Sequence, residues 1–396
     1  MRVLLSTIGS RGEFEPTLAL AVRLYALGHE VRLVAPPDFR GLMGTPGISF
    51  VPIGPDLGGK ASAKLTPEQL RKAGEQSVID QFETVSAQAE GFDAVVGTGM
   101  LQPATHSAAE RLGIPYAFGT FCPQSLPSAA HPPLQFGGWT HEPGVGNTTL
   151  WAREADRFNA GFLAVLNSCR TSAGMPEIAD VREHMLGERP MLAADPVLAP
   201  WPDPGGVLQT GAWIRADERP LDVDLVKFLD DGEPPVYFGF GSMRVGPEYS
   251  AAAIGAAREL GRRAIVLRGW ADLSVVDSSP DCVAIGEVNH QELVKRLAAV
   301  VHHGGAGTTT TVARAGTPQV VVPQMFDQFY FADRVRALGI GHAHLSKAPT
   351  AESLAAALDH ALRSEVVARA GEVSAEIAVD GVEIAARHVL SGIPAN

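Results

Sequence analysis

The sequence predicts two doubly wound α/β domains facing one another across a cleft, and three features of the chain predict it. Short apolar runs alternate with helical patterns of about ten to fifteen residues through both halves, which implies parallel sheets with right-handed crossovers. The first strand of each half feeds a glycine-rich loop, Gly9-Ser10-Arg11-Gly12 in one and Gly239-Phe240-Gly241-Ser242 in the other. Between the halves lies a proline-dense stretch, Ala194-Asp195-Pro196 through Pro202-Asp203-Pro204-Gly205-Gly206, with the composition of an interdomain connection. At 396 residues the chain is long enough for each domain to bury its own core.

Taken in order, Val3 to Thr7 reads as the first strand, and Pro16, in the favoured first position, opens a helix that Gly28 closes. Val31 to Val34 and Ile48 to Ile53 read as the next strands. From Gly54 to about Gln76 the chain shows little periodicity and reads as an irregular, ligand-facing stretch, as does Phe121 to Asn147. Two short strands, Ala94 to Val96 and Tyr116 to Phe118, flank a helix over His106 to Leu112. Helices near Leu150 to Ala173 and Asp180 to Leu186 end the first half. The second half repeats the alternation with strands Val236 to Phe240, Ala264 to Leu267, Cys282 to Ile285 and Gln319 to Val322, and helices at Leu225 to Leu229 and Glu248 to Leu260. From Thr350 the pattern is helical, and a last helix, Val382 to Leu390, has no strand to partner. The expected organisation is a first domain over 1–200, a linker over 201–216, a second domain over 217–378, and a C-terminal segment 379–396 packing back on the first domain.

Composition narrows the function. Acidic residues number 44 against 32 basic, a formal charge of −12, which argues against nucleic acid or an anionic membrane as the main partner. No apolar run approaches the ~18 residues of a membrane span. Cys122, Cys169 and Cys282 form an odd, widely spaced set with no C-x-x-C, consistent with reduced thiols in a cytoplasmic protein. Neither glycine loop is a dinucleotide fingerprint: G-x-G-x-x-G is broken in both, and Ala35-Pro36-Pro37 stands where a ribose-binding carboxylate belongs.

The most informative stretch runs from Ala298 to Arg336. An apolar run ends in His302-His303, the loop Gly304-Gly305-Ala306-Gly307 follows, and Thr308 to Thr311 lead into a helix. A helix N-terminus offers unpaired N–H groups and partial positive charge, and glycines let a phosphate approach the backbone. An ordinary strand-to-helix turn would also use glycines for packing. Here the loop comes in one unit with a preceding histidine and with Asp327-Gln328 after the next strand, polar groups suited to a hydroxylated ligand. The His302-His303 pair lacks a carboxylate or third ligand at metal-binding spacing. Asp222-Val223-Asp224 has the form of a metal-binding D-x-D but reads as charge at a helix start.

Gly9-Ser10-Arg11-Gly12-Glu13-Phe14-Glu15-Pro16, His303-Gly304-Gly305-Ala306-Gly307-Thr308 and Asp327-Gln328 together resemble the GT-B nucleotide-sugar glycosyltransferases of family 1. Within that family the chain is most similar to the bacterial enzymes that decorate glycopeptide antibiotics of the vancomycin group. Leu192 to Leu198, Gln209 to Ile214 and Gly286-Glu287-Val288-Asn289 extend the likeness over essentially the whole chain.

The resemblance implies two Rossmann-like domains and an inverting, metal-independent transfer of a sugar from UDP or dTDP to a hydroxyl of a natural-product aglycone, a glycopeptide first. A sterol or polyketide acceptor is the nearest alternative, and a non-catalytic nucleotide-sugar-binding auxiliary protein is the alternative from another class. Glu13 occupies the position where the glycopeptide relatives usually carry a catalytic aspartate, which implies a general base; a carboxylate that merely favours its helix N-terminus is the competing account. His303 matches the histidine that hydrogen-bonds the diphosphate, with the amides of Gly305, Ala306, Gly307 and Thr308 stabilising leaving charge. Asp327 and Gln328 match the pair that grips sugar hydroxyls. Ser10, Arg11 and Ser242 are supporting phosphate contacts in this reading, Val288 lies where backbone groups read the pyrimidine, and Trp270 is a core residue with some claim to the base. No cofactor or metal is expected beyond the nucleotide-sugar co-substrate. The partners are small molecules only, the expected state is a monomer or weak dimer, and no membrane span is expected.

Overall fold

A computed structural model of the chain describes residues 1–56, 66–135, 141–241, 248–269 and 273–392. Within them the strands form two all-parallel sheets. The first takes β1 (Arg2–Thr7), β2 (Glu30–Ala35), β3 (Ser49–Pro52), β4 (Ala94–Thr98), β5 (Tyr116–Thr120), β6 (Met191–Leu192) and β7 (Leu208–Gln209) in the order β3-β2-β1-β4-β5-β6-β7. The second takes β8 (Val236–Gly239), β9 (Ala264–Leu267), β10 (Cys282–Ile285), β11 (Ala299–His302), β12 (Gln319–Val321) and β13 (Gly341–Ala343) in the order β10-β9-β8-β11-β12-β13. Strands covered by helices on both faces should be continuously apolar, and they are: Val3, Leu4 and Leu5 of β1 and Val236 and Phe238 of β8 are completely buried.

Both sheets reverse strand order beside their first strand. In the first, β1 lies between β2 and β4, with Val3 opposite Ala94 and Thr7 opposite Thr98. In the second, β8 lies between β9 and β11, with Val236 opposite Ala299 and Gly239 opposite His302. The crevice at such a switch point, off the carboxyl ends of the strands, is where doubly wound sheets bind ligands.

Three sequence expectations need correction. The proline-dense stretch is a crossover inside the first domain, because β6 and β7 on either side of it pair with each other, Met191 with Leu208 and Leu192 with Gln209. The first sheet thus runs past residue 200 into the span expected as linker. Second, the stretch expected to be irregular up to Gln76 becomes helical at Pro67, and the helix Pro67–Gln88 opens with a capping box between Thr66 and Gln69. Third, the first helix begins at Arg11, because the Ser10 side chain caps it, and Pro16 lies inside it. The helix expected near Leu150 to Ala173 does form, as Asn147–Phe158 and Ala164–Ser172 running through a π-helical turn, Asn159–Leu163. The D-x-D is a cap: the Asp222 side chain accepts from the amides of Asp224 and Leu225 at the start of helix Val223–Asp230.

The last described helix, Gly381–Ser391, lies on helix Arg11–Ala26. Ala385, Ala386 and Val389 share one core with Leu18, Ala21 and Leu24, and Arg23 pairs with Glu383 at 2.5 Å. Two further ties cross the molecule near the crossover: Asp195 accepts from the Ala378 amide at 2.8 Å, and Arg334 donates to the carbonyls of Leu198 and Val197.

Candidate active site

Glu13 sits in the first turn of helix Arg11–Ala26, which Ser10 caps through its hydroxyl. Its carboxylate lies in a cradle built by two glycines at the switch point. A Cβ on Gly9 would fall 0.9 Å from Oε2, and one on Gly99 would fall 2.2 Å from Oε1. Gly99, which follows β4, also has φ +81°, so a side chain there is excluded twice. The backbone amides of Ser10 and Met100 donate to the carboxylate. Burial, and then the charge of Asp327 across the cleft, outweigh those amides and push the Glu13 carboxyl up to about 7.

The second domain repeats the arrangement. The His303 ring follows β11 and lies between the loops after β8 and β11. A Cβ on Gly305 would stand 2.8 Å from Nε2, and one on Gly241 would stand 3.2 Å from Cε1. Burial lowers the His303 pKa to about 4, so the ring is neutral at pH 7, and its Nδ1 is buried with no hydrogen-bond partner among the described residues. His302 plays a different part. The Gly304 amide donates to its Nδ1 at 3.0 Å, which leaves the proton on Nε2 facing the Gln319 amide oxygen at 2.8 Å. Gln319 in turn donates to the Thr309 carbonyl. This buried chain fixes Gly304 at φ +95°, where a side chain would meet Val321 and the Gln328 carbonyl. It also commits both His302 nitrogens, so a His-His metal site has no physical basis here. Among the described residues no three His, Cys, Asp or Glu side chains converge on a metal-sized site.

Gly305 is the N-cap of helix Ala306–Arg314 and supplies no side-chain cap. The threonines turn away from the opening: Thr309, Thr310 and Thr311 hydroxyls donate back to the carbonyls of Gly305, Ala306 and Gly307. The first-turn amides of Ala306, Gly307 and Thr308 therefore present the positive end of a helix to the cleft. Ala306 packs against two cores, one holding Phe14 and Leu18 of the first domain, the other Met100 and Cys122 together with Phe331 of the second. That contact brings the two switch points together.

Not every expected residue stands free for a ligand. Asp327 does face the site: burial raises its pKa to about 6, and its charge reaches Glu13 and Cys122. Gln328 shapes the loop before it, its side-chain oxygen accepting from the amides of Gln324 and Met325 at 2.8 and 3.1 Å. The Ser10 hydroxyl accepts from the Gly12 amide at 3.2 Å. Arg11 is held by carboxylates, Glu287 of the second domain and Glu15 one turn along its own helix. Val288 packs at the edge of a second-domain core, and Asn289 beside it caps helix His290–Leu293 while donating to the carbonyls of Asp217 and Arg219. Ser242 and Trp270 lie outside the described residues. Sequence reading missed Gly99 and the Met100 amide. Their signal was a glycine directly after a buried apolar run, Val95-Val96-Gly97-Thr98-Gly99, at the strand that completes the switch point. A separate cavity of about 460 Å³, lined by Pro127, Arg182 and Trp201 among others, contains none of these groups.

A buried carboxylate at one switch point, a neutral histidine and an open helix N-terminus at the other, and two doubly wound domains between them define a GT-B glycosyltransferase. Residues 3–127 match the glycosyltransferase family 28 N-terminal domain, and residues 254–389 match the erythromycin biosynthesis protein CIII-like C-terminal domain. The vancomycin aglycone glucosyltransferase of Amycolatopsis orientalis is 46% identical over 99% of this chain and 98% of its own. The dTDP-epi-vancosaminyltransferase of the same organism is 43% identical over 94% of this chain and 93% of its own. In fold, the crystal structure of the kitacinnamycin glycosyltransferase superposes with a TM-score of 0.75 at 18% identity, covering 99% of both chains. The chain belongs to the nucleotide-sugar-dependent glycosyltransferase family of the vancomycin-group enzymes. No helix among the described residues is long and apolar enough to cross a membrane.

Proposed function

We propose that this protein transfers a sugar, with inversion, from a dTDP- or UDP-sugar to a hydroxyl of a glycopeptide aglycone. The observation that carries the reading is the apposition of the two switch points, a carboxylate whose pKa is raised to about 7 on one side and an uncapped helix N-terminus with His303 on the other. Glu13 takes the proton of the acceptor hydroxyl as its oxygen attacks the anomeric carbon. The bond from that carbon to the diphosphate breaks on the opposite face, which inverts the centre. Negative charge grows on the leaving diphosphate, and the amides of Ala306, Gly307 and Thr308 with the helix dipole stabilise it there more than in the ground state. The neutral His303 adds an N–H donor without competing for the proton that Glu13 removes. Asp327 accepts from the sugar hydroxyls, and the Val288 segment faces the pyrimidine. The first domain binds the acceptor and the second the donor. The glycopeptide acceptor is supported by the vancomycin aglycone glucosyltransferase, 46% identical, and the dTDP donor by the dTDP-epi-vancosaminyltransferase, 43% identical.

A thermal-shift panel of dTDP- and UDP-sugars, followed by turnover with heptapeptide aglycones, tests this reading. Stabilisation by at least one of these donors and glycosylation of a heptapeptide are expected. Absence of any shift across both series would overturn the donor class, and turnover only on a sterol or polyketide would overturn the acceptor.

A further inference from the structure

The geometry points to Arg11 and Glu287 as a latch across the cleft that positions Glu13 for catalysis. Arg11 opens the helix that carries Glu13 in its first turn, and Glu287 lies in the second-domain loop between β10 and helix His290–Leu293. Their contact is two-pronged: Nη1 meets Oε1 at 2.5 Å and Nη2 meets Oε2 at 2.9 Å, the fork geometry in which a guanidinium fixes orientation as well as distance. Among the described residues it is the one ion pair that joins the two sheet domains directly.

Both partners are held in place beforehand. Glu15 accepts from Nε and Nη2 of Arg11 at 3.1 and 3.0 Å, and Arg215, on the segment between the sheets, stands 3.8 Å from the other Glu15 oxygen. On the far side, Asn289 pins the Glu287 loop to the carbonyls of Asp217 and Arg219. The guanidinium is thus aimed before the cleft closes, and the carboxylate loop moves with the second domain.

Half-exposed, the pair is screened by water and adds little to stability. That weakness suits a contact which must release after each turnover. Its leverage is geometric, since Glu13 must meet an acceptor oxygen while the anomeric carbon is held by the other domain, and small misplacement of reacting groups is costly. Arg11 and Glu287 act through Glu13, so they are positioning residues. The inference rests on the proposed sugar transfer, but closure of the cleft can be measured without it.

The test combines kinetics with scattering. Glu287→Arg should lower kcat about ten- to hundred-fold, with the donor KM changed by less than about two-fold. The double variant Arg11→Glu/Glu287→Arg should recover most of the lost kcat, because the fork is restored with its charges exchanged. In small-angle scattering with dTDP, Glu287→Arg and the milder Glu287→Gln should both show a larger radius of gyration than the wild type. Wild-type kcat in Glu287→Arg, or a double variant no faster than the single, would overturn the latch. Failure of the wild type to transfer any sugar would instead sink the proposed reaction, and the scattering would still decide the latch, equal radii counting against it.

Discussion

At the scale of residues, the account turns on the proton of Glu13. Its carboxyl is raised to about 7 first by burial and then by Asp327, so below that pH the group is protonated and cannot accept from the acceptor hydroxyl. We expect kcat/KM to climb with pH to a plateau, its midpoint near 7. Asp327→Asn removes the like charge and relieves only the smaller cause, so the midpoint should move down in pH while transfer weakens through loss of a sugar contact. A pH–rate profile of the two proteins checks this, and an unmoved midpoint would contradict the pairing. Glu13, His303 and Asp327 were singled out in the sequence by the family resemblance of the loops that carry them, and the fold brings Glu13 and Asp327 within electrostatic reach of one another. The engagements of Ser10, Arg11 and Gln328 were not readable in the sequence. They depend on partners such as Glu287, far along the chain, and on which backbone amides a loop leaves unsatisfied. No pattern in the sequence specifies these.

At the scale of elements, the site is made by what glycines leave empty. The Gly9–Gly99 cradle holds the Glu13 carboxylate as Gly241 and Gly305 hold the His303 ring. Gly99→Ala would place a methyl group in the volume of Oε1 and force a side chain into positive φ. Transfer should fall at least about 100-fold, and steady-state assays on the folded variant check it, near-normal turnover ruling the cradle out. Strands β1 to β5 and β8 to β12 were legible from their apolar runs. The missed strands are the two-residue β6 and β7 and the three-residue β13, too short for alternation to register. Helix Pro67–Gln88 was missed for another reason. Thr66, Pro67 and Gln69 spell a capping box, but the first turns are polar, and apolar spacing emerges only at Val78, Phe82 and Val85.

At the scale of the whole molecule, two sheets with the same switch-point layout are set so that a carboxylate on one faces an uncapped helix N-terminus on the other. The sequence showed two halves but not their seam, because prolines mark any exposed crossover as well as an interdomain passage. Here they mark the β6–β7 crossover, whose Asp195, Val197 and Leu198 are tied to Ala378 and Arg334. That seam makes the first domain larger than composition suggested, and the last described helix packs on it. The most direct measurement of the central claim is transfer by Glu13→Gln, assayed alongside its affinity for dTDP. The account predicts loss of about 100-fold or more in kcat, the range that a positioned base supplies, with nucleotide affinity close to wild type. Turnover within a few-fold of wild type would contradict it.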